Sequence, residues 1–145
     1  MRSKLALLRR VESLRRRQRD LAASVLAEAE RAELRARDDR EAAVEAQRAH
    51  LDAIAEAAQH GPAGLELWLA ERANYAHALD ARAQALGAAH EKTGQARRVV
   101  AERTVVLERT RTIATRTRDA IEQHEAHEEQ KDSDERAAWP RRRWS

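Results

Sequence analysis

Large side chains recur through the first part of the chain at alternating spacings of four and three: Leu7, Val11, Leu14, Gln18, Leu21, Val25. That spacing keeps one stripe of a helix facing a partner helix, as in coiled coils. The pattern thins across AERAELRARDDREAA, where Leu34 is the one large apolar residue, and resumes as Val44, Gln47, Leu51, Ile54, Ala58. Val25 and Val44 are not a whole number of heptads apart, so the reading predicts a stutter between them. A second run follows in which Leu65, Arg72, Leu79, Leu86, Thr93, Val100, Leu107, Ala114 and Ile121 fall every seven residues. Leu69, Ala76 and Ala83 supply its second stripe position early, and Val99, Val106 and Ile113 widen the stripe later.

Between the two runs stands EAAQHGPAGLELW, with a Pro between two Gly. Gly61 and Gly64 tolerate positive φ, and Pro62 cannot continue a helix from Gln59 and His60. A connection this short joins antiparallel helices. The predicted fold is therefore all-α, a long antiparallel two-helix coiled-coil hairpin in one domain over 1–138. Helix 1 spans about 4–58, the turn 59–64 and helix 2 about 65–138. Trp139–Pro140 ends helix 2, and 139–145 form a basic C-terminal tail. Helix 1 would be roughly 80 Å long. Pairing about the tip puts position 10 near position 112, with helix 2 overhanging from about Asp119. The segment RTRTIATRTR alternates and favours strand by composition, but it has no turn residues and lies inside the repeat, so it too is predicted helical. Gly87 and Gly94 each weaken helix 2 by about 1 kcal/mol relative to Ala and are candidate points of bending or close helix approach.

Composition narrows the picture. Charged residues make up 37% of the 145 and aromatics 3%, with no Phe, and the apolar fraction is mostly Ala. A thick core is excluded by this, whereas a thin seam between helices is not. Low hydrophobicity also fits a disordered chain, but Ala, Leu, Arg, Glu and Gln are strong helix formers and Pro is scarce. The absence of Cys removes disulfides and thiolate metal sites. No apolar run of about 20 residues exists to span a membrane. The apolar patch in MRSKLALLRR is too short for a signal-peptide core. The expected location is the cytoplasm.

The net charge of +3 hides a segregation of charge. Arg2, Lys4, Arg9, Arg10, Arg15, Arg16, Arg17 and Arg19 crowd the start, while Asp119, Glu122, Glu125, Glu128, Glu129, Asp132, Asp134 and Glu135 crowd the end of helix 2. A hairpin brings the two clusters together, where they partly neutralise each other. The basic cluster has no interleaved aromatics, no reading motif and acids beside it, so nucleic acid is not an expected partner, nor is a stable membrane insertion. HEAHEE places His124 and His127 at i, i+3 with Glu128 nearby, which differs from the i, i+4 pair of zinc proteases, and such a face on an acidic helix is ordinarily solvated. No metal or cofactor is expected. No nucleophile–base set, phosphate loop or Gly-rich fingerprint appears, and a bare hairpin offers no pocket that excludes water, so an enzyme is not expected. Trp68 and Tyr75 are the aromatics outside the tail. On a thin hairpin they are candidates for partner contact.

Taken together, the chain resembles the FliJ/YscO family, the central-stalk proteins of flagellar and injectisome type III secretion. The resemblance spans nearly the whole length. It rests on the size, the Cys-free hairpin, the basic start LALLRRVESLRRRQRDLA, the segment LELWLAERANYAHALDARAQAL after the turn, and the charged end RDAIEQHEAHEEQKDSDERAAW. The final WPRRRWS is not matched to the family. Members of that family sit in the central hole of a hexameric secretion ATPase, much as the γ stalk sits in a rotary ATP synthase. They promote ring assembly, link the ATPase to the membrane export gate, and in some cases handle export chaperones. The resemblance implies that the helix ends enter the ring, with Arg9, Arg10, Arg15 and Arg16 as candidates for ATPase docking. It implies gate contacts at Tyr75, Leu79 and Leu86 on helix 2 and at Val44, Gln47 and Leu51 on helix 1. Flagellar members carry aromatics on helix 1 where this chain offers His50 and Leu51. The residues by themselves also fit a generic coiled-coil scaffold with other partners, or a basic coiled coil on nucleic acid or a membrane surface.

Overall fold

The computed structural model describes residues 1–62 and 65–144, with side chains described through residue 139. Two helices account for the fold: α1, Arg2–Gln59, and α2, Leu65–Trp144. They contact each other as an all-α helical hairpin. α1 ends where His60 N–H bonds back to Ala57 O at 3.1 Å. Gly61 then takes φ +110°, a left-handed conformation that costs a side-chain-bearing residue and costs glycine little. Leu65 N–H closes the turn on Pro62 O at 3.2 Å. Gly64, also expected to turn, lies outside the described residues.

α2 continues to Trp144, so Pro140 does not end it as expected. RTRTIATRTR is helical. Its threonines are accommodated by backbonding: Thr110 Oγ1 donates to Val106 O at 3.0 Å and Thr112 Oγ1 to Glu108 O at 2.9 Å.

The chain divides into two compact units, Met1–Asp20 with Ala101–Ser145, and Leu21–Val100. In the first, Leu107 is fully buried, with Ala114, Ile121 and Thr110 also buried. Arg111 Nε lies 3.3 Å from Glu12 Oε1, and Arg2 pairs with Glu125. Glu12 facing Arg111 is within a turn of the expected pairing of 10 with 112. The overhang of α2 begins after Glu125 rather than near Asp119, because Ile121 is still buried and Glu125 still meets Arg2. In the second unit, Ala22, Ala96, Thr93 and His50 are buried.

On α2 the seven-residue stripe is the inward one. Thr93, Leu107, Ala114 and Ile121 are buried and Leu65, Leu79, Leu86 and Val100 half-buried, whereas Arg72 is exposed. Of its expected companions Ala76 and Val106 are half-buried, and the others are replaced. Ala96 and Thr110 are buried and Ala89 and Thr117 half-buried, while Leu69, Ala83, Val99 and Ile113 are exposed. On α1 the inward stripe is displaced. Of the expected stripe Val11, Gln18, Val44, Gln47 and Ile54 are half-buried, but Leu7, Leu14, Leu21, Val25, Leu51 and Ala58 are exposed. The buried and half-buried positions run Leu8, Arg15, Ala22, Ala29, Ala36, Ala43, His50 and Ala57, every seventh residue, with Leu5, Glu12, Arg19, Leu26, Glu33, Gln47 and Ile54 between them. This repeat keeps one phase, so no stutter is required. The physical reason is size: alanines let two helices approach closely over a long contact, and larger side chains at those positions would hold them apart.

Gly87 and Gly94 do not mark close approach, since a Cβ on either would meet nothing within 4 Å. Gly87→Ala and Gly94→Ala should therefore each stabilise by about 1 kcal/mol and raise the thermal midpoint by a few degrees in circular dichroism. Leu107→Ala should lower it, removing about 3 kcal/mol. A lowered midpoint for either glycine variant would mean that the helices pack tighter there than described.

Candidate functional site

The candidate residues fall in both units. In the first, α1 presents Arg9, Arg10 and Arg16 to solvent. Arg16 lies 3.7 Å from Glu12 one turn earlier, and that carboxylate also meets Arg111. Arg15 departs from this group. It occupies an inward position of the repeat, is half-buried, and its Nε is buried without a hydrogen-bond partner. The basic band of the first unit is thus Arg9, Arg10, Arg16 and Arg17, with Arg15 part of the helix contact. Exposed ion pairs of this kind add little stability. What they leave is positive potential open to a partner.

In the second unit, Val44, Gln47, Tyr75, Leu79 and Leu86 are half-buried, and Leu51 is exposed. The structure joins Tyr75 and Trp68, which the sequence had already grouped, through a residue it had not placed between them. His50, 4% exposed, stacks on the Tyr75 ring at 4.3 Å between centroids and 22° between planes. It lies 5.6 Å from the Trp68 ring at 38°. His50 Nε2–H donates to Trp68 O at 2.9 Å. A carbonyl can only accept, so Nε2 carries a proton. The other ring nitrogen, Nδ1, is buried with no partner. The hub of the aromatic group is therefore His50, with Trp68 exposed at its edge. The signal for it was present in the chain: His50 belongs to the seventh-residue series Ala22, Ala29, Ala36, Ala43, His50, Ala57. A search for large apolar residues passes over that series.

A second polar contact crosses the helices of this unit. His90 Nδ1–H donates to Glu33 Oε1 at 2.8 Å, and Arg97 lies 3.7 Å from Glu30. Thr93 Oγ1, almost fully buried, sits 3.0 Å from Ala89 O on its own helix and 3.3 Å from Ala29 O on α1. The His90 hydrogen bond, with Thr93 second, holds the Glu33 carboxyl below its ordinary value of 4.5. His124 and His127 are exposed. Among the described residues no group of three or more His, Asp or Glu is placed to hold a metal ion, and no helix is long and apolar enough to cross a membrane.

Because Glu33 is held below 4.5 in the folded state, its contribution to stability is present above that value and is lost as pH falls through the folded pKa. The thermal midpoint of the native chain should drop between about pH 5 and pH 3 more steeply than that of Glu33→Gln, which has no carboxyl to protonate. Parallel curves for the two proteins would remove Glu33 from the account.

No family model matches this chain, and neither the characterised proteins nor the solved structures compared with it give a match.

Proposed function

We propose that this chain is a non-enzymatic central stalk of a type III secretion or flagellar export apparatus. In this reading the first unit docks into the hexameric secretion ATPase and promotes its assembly and activity. The second unit meets the membrane export gate, and export chaperones are further partners. The protein works in the cytoplasm, at the cytoplasmic face of the apparatus. The observation that carries the reading is the pairing, in one long-helix hairpin, of an exposed arginine band in the first unit with a partly exposed aromatic group in the second. Charged surfaces steer association and aromatic side chains anchor it, so the two units suit different partners. The reading is further supported by the resemblance of the basic start and of LELWLAERANYAHALDARAQAL to the stalk family.

The geometry refines the docking set. Arg9, Arg10 and Arg16 are exposed and available to a ring, whereas Arg15 faces the neighbouring helix. On the gate side, Leu51 is exposed and Trp68 borders the His50–Tyr75 stack. Val44, Gln47, Leu79 and Leu86 support the helices beneath.

Pull-down with a type III secretion ATPase tests this reading. Arg9→Glu, Arg10→Glu and Arg16→Glu combined should weaken ATPase binding by roughly tenfold or more, with a strong dependence on salt. Leu51→Ala with Trp68→Ala should leave ATPase binding intact and weaken binding to the cytoplasmic domain of the gate. No binding of the native chain to the ATPase, or binding indifferent to the triple reversal, would defeat the proposal.

A further inference from the structure

The first unit carries two surfaces of opposite charge that one copy cannot bring together. The ion pair of Arg2 with Glu125 marks where α1 starts alongside α2. Residues 126–144 of α2 therefore continue past the start of α1. This extension is about 28 Å long at helical rise. Its stretch 128–135 is acidic, with Glu128, Glu129, Asp132, Asp134 and Glu135 exposed against Lys131 alone, before the basic Arg136, Arg141, Arg142 and Arg143 follow in the sequence; Trp139, just beyond the acidic stretch, is 66% exposed.

The opposite surface lies on the same unit. Leu7 and Leu14 are 61% and 53% exposed on α1, with Arg10 and Arg17 three residues on from each, hence on the same face. A shallow groove along α2 contains Val105 and Ile113 together with Arg109 and Arg116 and one carboxylate, Glu108. Arginines in excess beside apolar side chains call for a helix that offers carboxylates and an apolar end. The extension of α2 offers the carboxylates over 128–135 and Trp139 beyond them. It belongs to a continuous helix and runs away from its own arginines, so it cannot fold back on them.

We propose that two copies of this chain pair through their first units about a two-fold axis. The acidic extension of each copy lies on the arginine-framed apolar face of the other. Such an interface is isologous and closes on itself, giving a dimer and no larger array. The carboxylates from Glu128 to Glu135 meet Arg10, Arg17, Arg109 and Arg116, and Trp139 covers exposed leucine. The pairing does not depend on the stalk reading. If both hold, the two interfaces share Arg10, and the ATPase competes with the partner copy there.

Sedimentation of the whole chain tests the proposal. The native protein should be dimeric in low salt and should shift to monomer at about 1 M salt, where exposed charges are screened. One variant carries Glu128→Lys, Glu129→Lys, Asp132→Lys and Glu135→Lys. A second carries Arg10→Glu, Arg17→Glu, Arg109→Glu and Arg116→Glu. Each alone should be monomeric with unchanged helical circular dichroism, its dimer affinity reduced at least tenfold. Mixed, they should form a dimer, because every reversed surface then meets its complement. Cross-linking adds a readout that leaves the charges in place, as the chain has no cysteine of its own. Trp139→Cys mixed with Leu7→Cys or Leu14→Cys should give a disulfide-linked pair of unlike chains. A native chain that stays monomeric in low salt, a reversed variant that still dimerises alone, a mixture that fails to pair, or no unlike cross-link would each overturn the proposal.

Discussion

The arrangement depends on close contact between helices along a stripe of small residues. On α1 this stripe is Ala22, Ala29, Ala36 and Ala43, spaced by sevens, and the inward stripe of α2 includes Ala89, Thr93 and Ala96. Thr93 is almost completely buried and its hydroxyl reaches the backbone carbonyl of Ala29, a contact that requires the two backbones to lie near each other. In this part of the hairpin little apolar area is buried at any one level. Stability comes from repetition over many turns rather than from a thick core. Leu107 and Ile121 supply the larger buried side chains of the first unit.

This constraint decides what is left outside. Because alanines and a few polar side chains occupy the inward stripe, the larger residues of α1 are displaced from it. Leu7, Leu14, Leu21, Val25 and Leu34 are all more than half exposed. Scattered apolar exposure is ordinary on a protein surface. Here, however, the exposed leucines recur every seven residues and are interleaved with arginines, which is the pattern of a helix face that receives another helix. The same constraint draws Arg15 and Gln18 toward the contact, each with a buried polar atom lacking a partner. A seam that tolerates such groups is not tuned for maximum stability.

Much of the fold was legible in the chain. The Gly-Pro turn, the two helices, the antiparallel pairing to within a turn and the Thr93–Leu107–Ile121 stripe of α2 all follow from spacing and turn chemistry. Their signals are local and their periods are unbroken. The face of α1 was not legible by the same rule, because ranking positions by apolar size favours Leu7, Leu14 and Leu21 over the alanines next to the contact. The candidate site shows the same division. Tyr75 was marked by its rarity, whereas His50 was hidden by belonging to an alanine series. Its burial depends on Trp68 and Tyr75 across the turn, a contact with no local signature. The end of α2 was misplaced, since the helix runs on through Pro140 to Trp144.

The central claim is that the inward face of α1 lies one residue away from its large apolar stripe. The most direct measurement is thiol labelling of Leu21→Cys and Ala22→Cys, made singly in a chain with no cysteine of its own. Leu21 is 69% exposed and its neighbour Ala22 only 9%. Leu21→Cys should therefore label at close to the rate of an unfolded control, and Ala22→Cys far more slowly. Equal rates, or faster labelling at position 22, would contradict the account and return the inward face to the leucines.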